Sequence, residues 1–226
     1  MKKRIESQVK EIRTSNEKSK FSLGILALVS FCSFLIVIAT FSKLSLFYYS
    51  ISFDALFDRL AGVTYRSAPV VNVNHYEYIP QIPVVVYVAA LLGPIYASIS
   101  VLIYIVLGLS FFPIFALGGG PKYILQYNFG YILAYLPAVI LVAKSLKKKF
   151  SYRDSFKACF LAVLSVHVIG IMYSIIMGLI RREPYEFILD WIIAQSFSKM
   201  IYDFLFSFFA IIAAKVTKRL LWLIMG

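Results

Sequence analysis

Residues 79–135 read IPQIPVVVYVAALLGP (Ile79–Pro94), then IYASISVLIYIVLGLSFFPIFALGGG (Ile95–Gly120), then PKYILQYNFGYILAY (Pro121–Tyr135). Two long apolar runs meet at Gly93-Pro94, and a third begins beyond a Phe-Pro/Gly-Gly-Gly turn. Glycine and proline punctuate helices where the chain must turn. Gln81, Gln126 and Asn128 sit near the ends of the apolar runs. The pattern predicts a membrane protein with a polar pocket near one face.

Composition points the same way. Of the 226 residues 61% are hydrophobic and 15% charged, with a mean hydropathy of +0.81; soluble domains carry about 25% charge. The net charge of +12 would suggest a nucleic-acid partner in a soluble protein. Here the basic residues cluster beside apolar runs, which membrane topology explains without nucleic acid. Cys32 and Cys159 lie in or next to apolar runs, so no disulfide framework is expected. No Walker A, G-x-G-x-x-G or H-E-x-x-H sequence occurs. His75 beside Glu77 has no second histidine in its segment, so no metal and no cofactor are expected. No convincing nucleophile–base set occurs either, and the chain reads as a non-enzyme.

Six spans are predicted: about 21–41, 81–92, 96–112, 123–142, 158–180 and 188–214. They form a membrane domain over 21–226, preceded by a basic cytoplasmic tail at 1–20 and interrupted by a long external segment at 42–78. In that segment Phe47–Leu60 mixes aromatic, apolar and charged residues and reads as a short interfacial helix. In span one, Gly24, Ala27, Ser30 and Ser33 recur every three residues. Small residues permit close helix approach, within the bundle or against a partner subunit. The Gly118–Gly120 run is either a structural turn or a set of exposed N–H groups able to hold an anion. His167, inside span five, reads as helix packing.

The sharpest charged constellation lies in the last span. Gln195, Lys199 and Asp203 are spaced four apart and share a helix face. An intramembrane lysine needs a partner or water, so the group is either a structural ion pair or part of a ligand pocket. Charge also orients the chain. The tail, the 144–157 loop and the C-terminal end hold 16 basic residues, against 6 in the segments on the other side. That bias predicts cytoplasmic N- and C-termini and places the polar starts of spans two, four and six at the outer face.

Taken as an ordered set, Gln81, ALLGP (Ala90–Pro94), SVLIYIVLGL (Ser100–Leu109), FPIFALGG (Phe112–Gly119) and GYILAY (Gly130–Tyr135) resemble the BioY family, the biotin-binding membrane subunits of energy-coupling-factor vitamin transporters. The resemblance is close over about 79–135. Two departures stand out. Gln126-Tyr127-Asn128 occupies the place of the family's glycine-proline-threonine, and QSFSKMIYD (Gln195–Asp203) puts lysine before aspartate. The resemblance implies an all-α, six-span, S-component-like bundle in the bacterial cell membrane. It further implies high-affinity biotin binding without chemistry, and uptake together with a membrane coupling subunit and two cytosolic ATPases. The implied substrate set is Gln81, Tyr104, Gln126, Asn128, Tyr131, Lys199 and Asp203. The amides of Gln126 and Asn128 suit the urea ring, Tyr104 and Tyr131 offer apolar surface with a hydroxyl, and Lys199 suits the carboxylate. Asp203 either pairs with Lys199 or accepts from the urea. The Gly24–Ala27–Ser30–Ser33 face is the expected docking surface. The competing readings are an S-component or secondary transporter for another small heterocyclic acid, and a noncatalytic membrane scaffold.

Overall fold

A computed structural model of the chain describes residues 23–51, 60, 62, 71–110, 112–146 and 151–225. The basic tail at 1–20, and Asp54, Asp58, Arg59 and Arg66 of the long segment, lie outside the described residues.

Helix α1 spans Leu23–Phe41. A ribbon follows, with β1 at Leu44–Ile51 and β2 at Val71–Tyr78. Helix α2 covers Gln81–Leu109. A 3₁₀ turn at Pro121–Leu125 leads into α3, Phe129–Leu133, and α4, Tyr135–Ser145. Helix α5 is Tyr152–Arg181, α6 is Tyr185–Ile192, and a π-helical turn at Ile193–Phe197 precedes α7, Met200–Met225. Among the described residues, four stretches are long and apolar enough to cross a membrane: Leu23–Phe41, Gln81–Leu109, Tyr152–Arg181 and Tyr185–Leu221. Phe129–Ser145 is a shorter apolar helix. The protein is a multi-pass membrane bundle of helices.

Helix α2 is a hairpin. A straight helix would hold positions 81 and 104 about 35 Å apart, yet Gln81 Nε2 lies 2.9 Å from the Tyr104 hydroxyl. The reversal occurs at Gly93, whose φ of 78° and ψ of −179° lie outside the helical region and suit a residue without Cβ. Pro94 then starts the return arm. The Gly-Pro junction therefore divides two antiparallel arms, of about 18 and 24 Å.

The hairpin sits at the centre, packed against α1, α4 and α7. Its buried face is built from small and β-branched residues, including Val85, Val86, Ala89, Ala97 and Val101. These meet Val139 and Val142 of α4 and Ile211 and Ala214 of α7 within one core. Lipid offers helices no hydrophobic reason to associate, so close van der Waals packing of small residues holds such bundles. Phe31, Phe34, Val106, Leu179 and Phe209 face outward, the surface lipid requires.

Two local expectations change. Of the expected interfacial helix, residues 52–59 lie outside the described residues. Its start, Phe47–Ile51, belongs to β1, and the ribbon pairs antiparallel from Leu44↔Tyr78 to Ile51↔Val71. The reason is the two-residue alternation of VNVNHYEY (Val71–Tyr78), a strand period that gives a helix no single apolar face. In the Gly-rich turn, the N–H groups of Gly118 and Gly120 donate to the carbonyls of Phe115 and Gly108. The turn is structural, and these donors are not free for an anion.

In α1, Gly24, Ala27 and Ser30 are exposed, whereas Ser33 is buried. A helix turns about 100° per residue, so a three-residue repeat drifts by about 60° at each step. Gly24 and Ser33 therefore stand on nearly opposite sides of the helix.

Candidate ligand pocket

The ribbon, the 112–128 turn and the α5–α6 connection gather at one end of the bundle. Tyr202 on α7 donates to the Phe47 carbonyl of β1. Tyr173 and Arg181 of α5 donate to the carbonyls of Ile124 and Leu125. The Arg181 guanidinium also lies 4.7 Å over the Tyr127 ring, and Tyr127 donates to Glu183 at 3.1 Å.

Beneath this end lies a small cavity of about 90 Å³, open at its mouth. Ile79, Gln81 and Ile82 line one side, and Ala116, Tyr123 and Asn128 the turn above. Tyr131, Ile132 and Tyr135 come from α3–α4, and His167 from α5. Gln195, Lys199 and Asp203 come from the π turn and the start of α7. The lining mixes apolar side chains with many convergent polar groups, which can orient a ligand.

Two close helix approaches set these side chains. A Cβ on Gly170 would stand 2.4 Å from the Tyr131 ring, and one on Gly130 would stand 2.2 Å from Tyr173 Cβ. Glycine at both positions lets α3 lie directly on α5, which seats Tyr131 against the cavity. The Tyr131 hydroxyl then reaches Ser196 Oγ at 2.8 Å, and its ring meets His167 edge-on at 6.1 Å.

The π turn widens the helix where Gln195 lines the cavity; such turns recur at functional sites. Lys199 Nζ donates to Gln195 Oε1 at 2.8 Å, using one of its three N–H bonds. Asp203, 3% exposed, accepts from the Tyr78 hydroxyl at 2.7 Å and bonds His167 Nε2 at 3.1 Å. The structural Lys199–Asp203 ion pair is thus not formed: lysine turns to Gln195, and aspartate to β2 and α5. Asp203 ties the ribbon to two helices.

Gln81 anchors a second network. Its Nε2 donates to Thr40 Oγ1 at 2.5 Å and to the Tyr104 hydroxyl at 2.9 Å, while Oε1 accepts from Tyr135 at 2.9 Å. Tyr123, in the 3₁₀ turn, has its hydroxyl pKa pushed up by burial, opposed by contacts with the Leu117 backbone and Asn128. It lines the cavity as a neutral phenol.

Of the residues singled out from sequence, Gln81, Asn128, Tyr131, Lys199 and Asp203 meet around one cavity. Tyr104 is fully buried and bonds Gln81 from behind. Gln126 is half-buried, outside the lining, and its N–H closes the 3₁₀ turn on Tyr123. His167, Tyr78, Tyr123 and Tyr135 were missed as site residues. A single histidine in an apolar span carries no local signal, and its partner Asp203 lies on another helix.

The sequence model described as the BioY family matches residues 61–222. A crystal structure at 2.1 Å of the S-component for biotin from an ECF-type ABC transporter is similar in fold. Its TM-score is 0.62 at 19% identity, covering 90% of this chain and 93% of that one. No curated protein matches the sequence.

Proposed function

The chain belongs to the BioY family, and from that premise we propose that it is the biotin-binding S-component of an energy-coupling-factor transporter. It binds the vitamin without altering it. The observation that carries this reading is the cavity that gathers Lys199 and Asp203 with Asn128 and Tyr131. Biotin presents a carboxylate at one end, a urea with two donors and one acceptor at the other, and apolar ring and chain between. Lys199 has two N–H bonds left for the carboxylate. A carboxylate offers about four lone-pair sites; Tyr78 and His167 take two at Asp203, leaving two for the urea N–H groups. The Asn128 amide donates to the urea carbonyl. Tyr131 packs on the apolar middle, and Gln81, backed by Tyr104, holds the wall. Gln126 acts indirectly, through the turn that carries Asn128.

We further propose six crossings in the bacterial cell membrane: α1, the two arms of α2, α3–α4 together, α5, and the α6–α7 run, with both termini cytoplasmic. The 16-to-6 basic bias supports this orientation. Single cysteines introduced at Ser15, Lys148 and Tyr185 are expected to label from outside in intact cells only at Tyr185. Outside labelling at Ser15 or Lys148, or none at Tyr185, contradicts the orientation.

The partners of this reading are a membrane coupling subunit and two cytosolic ATPases. Gly24, Ala27 and Ser30, exposed on α1, offer the coupling subunit a small-residue surface; Ser33 supports α1 from inside. Ala27→Leu and Ser30→Leu are expected to lose co-purification with the coupling subunit while keeping biotin affinity within about twofold, since the pocket is remote. Intact association in both variants would remove α1 from the docking surface. Labelled-biotin uptake by cells with and without the three partner proteins tests the assembly itself: uptake is expected to rise when they are co-expressed.

A further inference from the structure

Resting on that reading, we propose that His167 is a specificity-determining positioning residue. It holds Asp203 as an acceptor-only carboxylate, so the pocket demands a ligand that brings N–H donors. His167 is 1% exposed. Its Nε2 lies 3.1 Å from Asp203 Oδ2, and its Nδ1 is buried with no hydrogen-bond partner among the described residues.

That asymmetry assigns the proton. On Nδ1 it would be a buried donor with nothing to receive it, and Nε2 would set a lone pair against a carboxylate oxygen. The ring therefore donates through Nε2 to Asp203. The Tyr78 hydroxyl donates to Oδ1 at 2.7 Å. Two donors, one per oxygen, leave each carboxylate oxygen a further lone pair for a ligand. The other titratable groups around the cavity do not replace them: Lys199 bonds Gln195, Tyr131 bonds Ser196, and Tyr135 bonds Gln81. The remaining lone pairs of Asp203 accept but cannot donate. A cyclic urea satisfies them with two N–H groups. A cyclic carbamate, with a ring oxygen in place of one N–H, sets lone pair against lone pair.

The test is equilibrium binding of biotin and its cyclic carbamate analogue to purified full-length wild type, His167→Gln and His167→Asn. The Gln amide nitrogen reaches the place of Nε2; that of Asn reaches only the place of Nδ1. Wild type is expected to prefer biotin by about tenfold to a hundredfold. His167→Gln keeps that preference. In His167→Asn it falls below about threefold, because Asp203 loses the donor that fixes which of its lone pairs face the ligand. A merely structural role would lower both ligands in parallel and treat Gln and Asn alike, which overturns the proposal. Tyr78→Phe removes the other donor and is expected to narrow the preference; if His167→Asn does not fold, an unchanged preference in Tyr78→Phe overturns it. Wild type that binds both ligands equally contradicts this inference and leaves biotin binding standing. Wild type that binds neither contradicts both.

Discussion

Lys199→Ala is expected to weaken biotin binding by about a hundredfold or more and to abolish the preference for the acid over its methyl ester. The ammonium sits one turn above Asp203 and donates to the Gln195 amide oxygen in the cavity wall. A charge placed there is unfavourable in a membrane without a counter-charge or water; Asp203 one turn away offsets part of this, and the ligand carboxylate supplies a second counter-charge. Among the described residues Lys199 closes no ion pair, so its loss should leave the bundle folded and fall on binding. Asn128→Ala removes a neutral bond and is expected to weaken binding by about tenfold. Both acid and ester should lose affinity to a similar degree in that variant. Calorimetry with the two ligands separates these outcomes.

Asp203→Ala is expected to damage fold and binding together. The Tyr78 hydroxyl and the His167 Nε2–H both end on this carboxylate. Removing it strands two buried donors, each unfavourable by about 1–3 kcal/mol, and unties β2 and α5 from α7. Thermal unfolding in detergent should show a clear loss of stability, and biotin binding should vanish. Asp203→Asn is not a mild alternative. Its NH₂ would face one of those two donors, so it is expected to resemble the alanine variant. An Asp203→Ala protein with wild-type stability and affinity would contradict the three-way junction.

The sequence made some of this legible and hid the rest for identifiable reasons. Long apolar runs and a Gly-Pro junction carry strong local signals, and the hairpin turns at Gly93, between the predicted spans two and three. Lys199 and Asp203 stood out because charge is rare in such runs, and both line the cavity. Their partners were not readable. Lys199 meets Gln195 at helical spacing, but Asp203 bonds residues 125 and 36 positions away, contacts that only the folded chain creates. The π turn at Ile193–Phe197 has no propensity signature, and it moves the Gln195–Ser196 register. The ribbon was hinted at by the alternation of Val71–Tyr78 but was lost within a segment of mixed charge. Gln126 stands outside the cavity lining, since amide chemistry does not reveal side-chain direction in a turn. Tyr104 stands behind Gln81, where a buried hydroxyl serves a neighbouring amide. In α1 the three-residue repeat was read as one face, although helical geometry carries Ser33 round to the core.

The most direct measurement is equilibrium binding of biotin and biotin methyl ester to the purified wild-type chain without partner proteins. The structure-based account predicts saturable one-to-one binding of biotin, with the acid clearly preferred over the ester. No binding of biotin, or equal affinity for acid and ester, would contradict a pocket in which Lys199 receives the carboxylate and Asp203 the urea.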